Sequence, residues 1–509
     1  RISKIINSNF TYKPSPYLLS SLIKYQKKKI KVEDFSLDKI LNNKNISTKD
    51  FKKFNNFFWF FSLDLKSSKK NMQLIIKNWI NYNHRYNDKS WDFDLTAKRI
   101  IAWLSCHNLT YEDSNEELKK RFNMIIQKQT NHLINEINRS KEIGNKLIGC
   151  ASIILVGLCY QNHTKYLSYG SNLLKKISKI TLDNHGFPKS RSIKHLIFYL
   201  KYFILIREWF KESQINIPEH IDETIYYLGQ GYAFVWQNIK SNILFNGNNI
   251  SNNDNFDNYL KRLGYRFKNE NKDYGGYIVF KNKKICLIMD GGPSPNSNFT
   301  NDYQSGALSF EIISDGKKLI SNCGYYKNNN LELNLLSKST ATQNTLVIDD
   351  NSSCKFTKIG DSFLVKKGLK IIKKSMRFEK DYWKINISHD GYQKRYNIIH
   401  EREIEFYPDN NSFIGKDRII KRINKSYKFD VRFHVEPGIK LMKTKDNKTI
   451  LIQLEDQGWK FTCDNYDINI DNGLYFGNKN SYTINQNIFI SGISNNQVED
   501  IKWEIEKIK

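Results

Sequence analysis

The most informative part of the sequence is the run SGALSFEIISDGKKLISNCGYY (residues 305–326), followed by STATQNTLVIDD (residues 339–350). Here short apolar segments alternate with turn residues, and the segments are too short for helices. The wider stretch from Ile285 to Asp350 therefore predicts four strands, Cys286–Asp290, Ala307–Ser314, Lys318–Asn322 and Thr345–Ile348. Apolar and polar residues alternate in the second of these, which predicts a strand with one buried side.

Polar clusters separate these predicted strands. They are Asp302-Tyr303-Gln304-Ser305, Asn322-Cys323-Gly324-Tyr325-Tyr326 and Thr342-Gln343-Asn344-Thr345. A sheet that carries amides, hydroxyls and phenols to one edge predicts a carbohydrate-binding surface there.

Both runs resemble the C-terminal β-domain of the heparinase II/III-like family of polysaccharide lyases. Most members of that family have one histidine just before the LSFE-like motif and another before an Asn-Thr or Ser-Thr pair. Gln304 and Gln343 stand at these two positions here. The resemblance covers most of residues 91–435 and is strongest in residues 285–350. It implies an α/α toroid followed by a β-sandwich, and lyase activity on an acidic, uronate-containing polysaccharide.

The length of 509 residues exceeds the size at which a single core keeps growing, so two domains are expected. Residues 51–239 contain long helical runs, some apolar on every side, which is typical of helices buried in a bundle or toroid. Short strands and turns follow. The prediction is an N-terminal, incomplete α/α toroid (residues 1–245) and a C-terminal antiparallel β-sandwich (residues 246–509), joined by an Asn- and Gly-rich linker that includes Asn246 and Gly247. The predicted helices are Phe51–Leu65, Lys69–Asn81, Asp94–His107, Asn115–Ser140, Ile143–Tyr160, Tyr166–Thr181, Ile193–Glu212 and Glu219–Ile239, and the predicted strands of the second half include Trp383–His389 and Ile398–Phe406.

The formal net charge of +28 suits a polyanionic partner, namely an acidic polysaccharide, a nucleic acid or an anionic membrane surface. An AT-rich genome explains a Lys-, Asn- and Ile-rich chain equally well. The charge is scattered and no nucleic-acid-binding motif is visible, so no nucleic-acid partner is expected. The longest apolar stretch, Leu147–Tyr160, is too short to span a bilayer, so no membrane span is expected.

Gly144-Asn145-Lys146-Leu147 resembles the family's Gly-Asn-His-Leu segment. The resemblance implies that Asn145 hydrogen-bonds the uronate carboxylate and makes the neighbouring C–H more acidic. Lys146 replaces the family's histidine and is a candidate substrate-binding residue. A helix begins nearby, so capping of that helix is an equal alternative for Asn145.

The segment from His185 to Ser192 resembles the family's Asp-Gly-x-x-x-x-Arg-Ser/Asn loop. Arg191 matches the arginine, which implies a contact with the substrate carboxylate. A catalytic tyrosine follows a few residues later in heparinase-type members, and His195 is the nearest titratable residue here. His195 is therefore a candidate base, and a histidine on a helix surface is the alternative.

Residues 91–104 resemble a helix start that is common in the toroid half of the same family. Asp94 is expected to cap this helix. A buried tryptophan and a helix cap explain the pattern without catalysis, but Arg99 is also a candidate for binding substrate.

A uronate lyase removes the C5 proton beside a carboxylate and expels the C4-linked sugar. It must neutralise the carboxylate, present a base and protonate the leaving oxygen. The candidates are Asn145 and Arg191 on the carboxylate, with His195, Tyr303, Tyr325 and His389 as acids or bases.

Metal-bearing family members place His, Asp and His on the β-domain. This chain has Gln304, Asn322 and Gln343 there, which are poor zinc ligands, so neither a metal nor another cofactor is expected. Gln304, Gln343 and Asn344 are predicted instead to bind sugar hydroxyls. The alternative to an active lyase is a catalytically inactive protein that binds glycan or assembles cell-envelope polysaccharide.

Seven widely spaced cysteines form neither a CxxC pair nor a disulfide framework, which predicts buried free thiols. A targeting segment can lie outside the chain, which starts at Arg1. A periplasmic or cell-envelope location is expected, and the sequence leaves the oligomeric state open.

Overall fold

The computed structural model describes residues 8–22, 47–63, 69–160, 164–251, 253–327, 330–478 and 481–508. The chain forms two compact units. The helical unit comprises Arg1–Leu182, Ile197–Gly229 and Asn253–Arg266, and the sheet unit comprises Asp183–Leu196, Gln230–Asn252 and Phe267–Lys509. The sequence predicted one boundary between residues 245 and 246, whereas the chain passes between the units several times.

The helices up to residue 262 include those that the apolar runs predicted, together with Pro16–Ser20, His107–Thr110 and Asp254–Arg262, which were not predicted. They are α1 (Pro16–Ser20), α2 (Thr48–Asn55), α3 (Lys69–Asn83), α4 (Phe93–Ser105), α5 (His107–Thr110), α6 (Glu116–Glu136), α7 (Ile143–Cys159), α8 (Thr164–Thr181), α9 (Ile193–Glu212), α10 (Glu219–Tyr232) and α11 (Asp254–Arg262).

Helix α7 is the centre of the helical unit because it is apolar on every side and buried from Leu147 to Cys159. A side chain at Gly157 would come within 2.6 Å of the backbone nitrogen of Leu167, so this glycine allows α7 and α8 to pack closely. Two predicted helices are replaced near their predicted ends by another type of helical turn. The first predicted helix ends at Asn55 and is followed by a 3-10 turn (Phe58–Ser62). Its predicted end at Leu65 lies outside the described residues. The last predicted helix continues as a π-helical turn (Ala233–Gln237).

Asp94 does not cap α4, as the sequence predicted. Asp92 is the N-cap, and its carboxylate accepts hydrogen bonds from the backbone N–H groups of Asp94 and Leu95 at 3.1 and 3.3 Å. Asp94 lies in the first turn and forms an ion pair with Lys98 at 2.7 Å. An acidic residue at either position satisfies the helix N-terminus, so the sequence pattern could not distinguish them.

The sheet unit contains antiparallel strands and short helices α12 (Leu331–Lys338) and α13 (Gln393–Tyr396). The strands are β1 (Asp273–Tyr274), β2 (Tyr277–Lys281), β3 (Ile285–Asp290), β4 (Phe310–Ser314), β5 (Lys317–Ile320), β6 (Leu346–Ile348), β7 (Lys355–Ile359), β8 (Ser362–Lys367), β9 (Ile371–Phe378), β10 (Trp383–His389), β11 (Ile398–Tyr407), β12 (Ser412–Lys421), β13 (Tyr427–His434), β14 (Lys440–Lys443), β15 (Thr449–Leu454), β16 (Gln457–Thr462), β17 (Ile468–Tyr475), β18 (Thr483–Ser494) and β19 (Val498–Lys507).

These strands form four sheets. A five-stranded sheet has the order β1-β2-β3-β4-β5, and an eight-stranded sheet has the order β14-β15-β16-β19-β12-β11-β10-β9. A four-stranded sheet (β17-β18-β13-β6) and the β7-β8 hairpin complete the unit. One continuous apolar core includes buried residues from the first three of these sheets, as expected for packed sheets that bury their inner faces.

The predicted strand Ala307–Ser314 is too long, because β4 begins at Phe310. Leu308 has a φ of 64°, and this left-handed conformation ends the extended backbone. All five residues of β4 are buried, so the strand does not have the one solvent-facing side that the alternation predicted.

All seven cysteines are buried free thiols, as predicted. In the part of the chain that the structure describes, no helix combines the length and apolar character needed to cross a bilayer.

Candidate active site

The loop before α9 carries Arg191, which is buried and held by four acceptors. Its guanidinium forms an ion pair with Asp290 at 2.6 Å and donates to the carbonyl oxygens of Gly276 at 2.9 Å and Pro293 at 3.0 Å. A weaker bond reaches the carbonyl of Gly275 at 3.4 Å. Burial alone would lower the pKa of Arg191, but the charge of Asp290 outweighs it and the net pKa is raised.

The prediction that Arg191 binds the substrate carboxylate is therefore corrected. Asp290 of β3 already forms the ion pair that the substrate carboxylate was predicted to form. The other N–H groups of the guanidinium donate to backbone carbonyls. A side chain at Gly276 or Gly292 would come within 2.8 or 2.6 Å of the guanidinium, so both glycines leave room for it. Arg191 is a positioning residue that fixes the loop carrying Ser190, and α9 with His195 begins directly after this loop.

Asn246 connects this ion pair to the polar cluster at residue 302. Its amide donates to the Tyr277 hydroxyl at 2.7 Å and to Asp290 at 3.1 Å, and its oxygen accepts from the backbone N–H of Gln304 at 3.4 Å. The Tyr277 hydroxyl in turn donates to the carbonyl of Arg191 at 2.6 Å. Asn246 and Gly247, which were predicted to lie in a linker, are therefore buried in the sheet unit.

His195 lies in the first turn of α9, where its Nε2 atom is 3.2 Å from Oδ2 of Asp302. Its Nδ1 atom is 2.9 Å from the hydroxyl of Ser190. Because a carboxylate can only accept, the Nε2 atom carries the proton and Nδ1 accepts from Ser190. About a third of the His195 side chain is exposed, against 3% for Asp302, so the imidazole is both oriented and accessible.

Asp302 is an ionised carboxylate with several donors around it. Burial raises its pKa, but the hydrogen bond from His195 and the charge of Lys327, whose Nζ lies 3.5 Å away, outweigh burial and hold the net pKa well below its ordinary value. The Tyr325 hydroxyl is 3.3 Å from Oδ1. Gly247 has a φ of 85°, and a side chain there would come within 2.6 Å of the Cβ atom of Asp302.

Lys338 is a buried lysine whose charge interacts with the Asp302 carboxylate. It is fully buried, and its ammonium donates to the carbonyls of Asn301 and Phe363. Its Nζ also lies 5.9 Å from the centre of the Tyr325 ring. Burial lowers the pKa of Lys338 to about 8, although the nearby charge of Asp302 opposes this.

Tyr325, a predicted acid or base, is 3% exposed. Burial and the charge of Asp302 raise its pKa far above the ordinary value of about 10. It therefore keeps its proton and acts as a hydrogen-bond donor beside Asp302, out of reach of a substrate.

Three further predicted residues, Gln304, Gln343 and Asn344, are buried in the sheet unit. The Gln304 amide donates to the carbonyls of Gly324 and Ser337 at 2.8 and 2.6 Å and accepts from Gly247 at 3.1 Å. Their role as a sugar-binding surface is therefore corrected, because these amides hold loops together inside the protein. Gln343 donates to Thr342 at 3.1 Å, and Asn344 donates to the Phe310 carbonyl at 2.8 Å and accepts from His434 at 2.6 Å.

The predicted acid or base residues Tyr303 and His389 are also buried, at 0% and 1% exposure. Burial raises the pKa of Tyr303 and lowers that of His389 well below its ordinary value. His389 lies 3.2 Å from His400, which contacts Asp417 at 2.7 Å. This buried network is structural, and neither predicted residue can meet a polysaccharide.

In the helical unit, Arg99 is fully buried and donates to the carbonyl of Asn55 at 2.9 Å and to Thr96 at 3.1 Å. Its guanidinium also stacks 4.1 Å from the Trp79 ring centre. The prediction that it binds substrate is therefore corrected, because no donor faces solvent.

Asn145 is the third residue of α7, and Glu142 occupies the N-cap position without a side-chain bond, so Asn145 does not cap the helix. Asn145 lines a cavity of about 300 Å³ together with the aromatic residues Tyr86, Trp91 and His132. Lys146 follows it and is half-buried. Both residues remain predictions as substrate contacts.

Sequence reasoning missed Asp302, Ser190, Lys327 and Lys338. Asp302 stood in a polar cluster that the sequence singled out, but its partner His195 is 107 positions earlier, and nothing in the spacing connects them. Among the residues that the structure describes, no three His, Cys, Asp or Glu side chains are grouped as metal ligands.

Comparisons with known proteins agree with the resemblance seen in the sequence. Residues 269–504 match the family model described as "Heparinase II/III-like, C-terminal". Two similar solved structures are heparinase III (TM-score 0.72, 14% identity, covering 100% of this chain and 85% of that one) and the heparan sulfate lyase HepC from Pedobacter heparinus (TM-score 0.67, 12% identity, 100% and 83%). No curated protein sequence matches the chain significantly. The predicted fold class, an α/α toroid followed by an antiparallel β-sandwich, is confirmed.

Proposed function

Because residues 269–504 match the heparinase II/III-like C-terminal family model, we propose that the protein is a polysaccharide lyase. Its substrate is an acidic, uronate-containing polysaccharide, which it cleaves by β-elimination. The single observation that carries the proposal is the pair formed by His195 and Asp302, an accessible imidazole held by a buried carboxylate.

His195 is the base in this proposal. Its Nδ1 atom, which accepts a hydrogen bond from the Ser190 hydroxyl, takes the C5 proton in exchange for that hydrogen bond. The imidazolium that forms is stabilised by Asp302, which stays ionised because its pKa is depressed. After C4–O cleavage the same imidazolium can return its proton to the leaving oxygen, so one residue serves both proton transfers.

The substrate carboxylate needs a positive charge or hydrogen-bond donor beside it, because the C5 proton is only weakly acidic. Lys327 is 53% exposed and lies 3.5 Å from Asp302, and Lys194 is close enough to lower the pKa of the same carboxylate. We assign the neutralising role to these two lysines in place of the buried Arg191. Asn145, in the helical unit, stays a predicted contact for the uronate carboxylate that rests on the family resemblance alone.

Glycan binding without cleavage is the second candidate function. A specific observation favours it: Gln304 and Gln343 replace two family histidines and are bound within the protein, so the β-domain offers no imidazole at those positions. In that case the protein would act in polysaccharide binding or cell-envelope assembly. Under either proposal, the expected location is the periplasm or cell envelope.

Assays with a panel of purified uronate polymers distinguish the lyase from a protein that only binds glycan. A lyase generates an unsaturated product with near-ultraviolet absorbance, while direct binding is followed separately by calorimetry. Absorbance that grows with at least one polymer, and is lost in a His195→Gln variant, supports the lyase. Binding to a polymer without any absorbance across the panel overturns it in favour of the second candidate.

A further inference from the structure

A cavity of about 880 Å³ opens on the sheet unit, and none of its lining residues belongs to the His195 and Asp302 site. Its walls come from α12, from the segment between β6 and β7, from the β7–β8 hairpin, and from the turn and helix after β10. This volume lies in the range of ligand-binding pockets.

Four cationic side chains line this cavity: Lys355, Lys367, Lys394 and Arg395. All four are exposed, and within the described ranges none of them forms an ion pair. Lys355 and Lys367 are direct partners across the β7–β8 hairpin. Like charges opposite each other destabilise a strand pair. The repulsion between Lys355 and Lys367 therefore destabilises the free protein, and a bound anion would reduce this repulsion.

The carboxylates of the lining do not neutralise these cations. Asp350 lies 3.5 Å from Lys428, which is outside the cavity lining. Asp390 accepts a hydrogen bond from the backbone N–H of Lys370 at 2.6 Å. Glu332 is the third carboxylate, and it is exposed on α12. Four cations therefore face three carboxylates, of which two have partners elsewhere.

The rest of the lining suits sugar rings. Ser339 lines the cavity, and its hydroxyl oxygen is buried and, in the described part of the chain, has no hydrogen-bond partner. Leu335 and Leu336, which are 36% and 38% exposed, line the cavity together with Phe356. Exposed apolar groups next to cations and hydroxyls match a pyranose ring that carries charged substituents.

We propose that this cavity is a second glycan-binding site, which holds an anionic segment of polysaccharide through the carboxylate or sulfate groups of its sugars. The choice of a glycan rests on the proposed function, whereas the charge and shape belong to the cavity itself. A nucleic acid fits less well, because single strands bind by stacking on successive aromatic side chains, and Phe356 is the one aromatic side chain among the described residues that line the cavity.

The test uses a Lys355→Gln, Lys367→Gln, Lys394→Gln triple variant of the full chain. The matched control is Lys358→Gln, Lys366→Gln, Lys380→Gln, which removes the same charge from exposed lysines outside the lining. Both are built on His195→Gln so that cleavage cannot consume the probe. Calorimetry measures the affinity for a size-defined heparin oligosaccharide and for an oligogalacturonide of equal charge.

The cavity variant is expected to lose about tenfold in affinity and the control about twofold or less, as three weak ion pairs would give. If affinity falls for the heparin probe alone, the cavity binds sulfate groups. If affinity falls for both probes, the cavity binds carboxylate groups. Equal losses in cavity variant and control overturn the proposal. A larger loss for a single-stranded DNA probe than for either glycan also overturns it. The lyase proposal is judged separately by absorbance, so either can fail alone.

Discussion

The Nε2 atom of His195 lies 3.2 Å from the carboxylate of Asp302, which joins the first turn of α9 to the loop between β3 and β4. The two residues approach because Arg191, four positions before His195, is anchored on Asp290 at the end of β3. One buried ion pair therefore sets the geometry of the next pair, in which the histidine is accessible.

Replacing His195 with glutamine should lower kcat on the cleaved polymer by about 10²–10⁴-fold, the usual contribution of a positioned acid or base. Glutamine keeps a donor for Asp302 but cannot accept a proton. The matched control is His185→Gln, an exposed histidine in the same loop. Absorbance assays under saturating substrate measure both variants. Equal activity of the two would remove His195 from the mechanism.

Replacing Asp302 with asparagine should remove a stability contribution that depends on pH. The folded pKa of Asp302 is depressed, so its contribution is complete above the unfolded pKa of about 4 and is lost as pH falls below that value. The wild type should therefore exceed the variant in free energy of unfolding at pH 7, and the difference should shrink between pH 5 and pH 3. Urea titrations at these pH values measure it, and a constant difference would contradict the argument.

Arg191→Met should destabilise the protein by about 3–5 kcal/mol, because it leaves Asp290 buried without its cation. The double variant Arg191→Met, Asp290→Asn should be destabilised by less than the sum of the single changes. Arg139→Met is the control, since its ion pair with Glu136 is exposed and should be worth less than about 1 kcal/mol. Urea unfolding gives all of these values, and strict additivity would show that the pair is not coupled.

Local patterns in the sequence predicted much of the fold. Trp383–His389 and Ile193–Glu212 are observed with the predicted bounds, because a run of apolar residues with one clear period specifies its own structure. The strand Gln457–Thr462 and the helix Leu331–Lys338 were not predicted. Both are short and depend on packing against neighbours.

The site was harder to predict than the fold. The resemblance pointed to Arg191 and Gln304, which lie in the network beside the site, but sequence alone could not show that both are buried. A side chain's partners decide whether it faces a substrate or the interior, and those partners are far away in the chain. For Arg191 the decisive partner is Asp290, 99 positions later.

Lys338 should make the stability of the protein rise above pH 8. Its folded pKa of about 8 is below the unfolded value of about 10.4, so the unfolded state binds more protons between these values and stability increases with pH there. Relative to Lys338→Met, the wild type should gain on the order of 3 kcal/mol between pH 8 and pH 10.4. Lys366→Met, at an exposed position, is the control, and denaturant titrations at the two pH values give the difference. No relative gain would mean that Lys338 keeps its proton in the folded protein above pH 8, so that burial does not lower its pKa.

Acid should destabilise the protein through its buried histidines, of which His434 is the clearest. Burial lowers its pKa to about 3, so below the unfolded pKa of about 6.5 the unfolded state binds a proton that the folded state does not. His434→Gln can keep a donor to the Ala341 carbonyl, which lies 2.9 Å from Nε2, without titrating. Between pH 6.5 and pH 4.5 the wild type should lose about 2–3 kcal/mol more than this variant. The exposed His185→Gln should follow the wild type in the same titration, and a parallel loss in His434→Gln would show that His434 takes up its proton in the folded state.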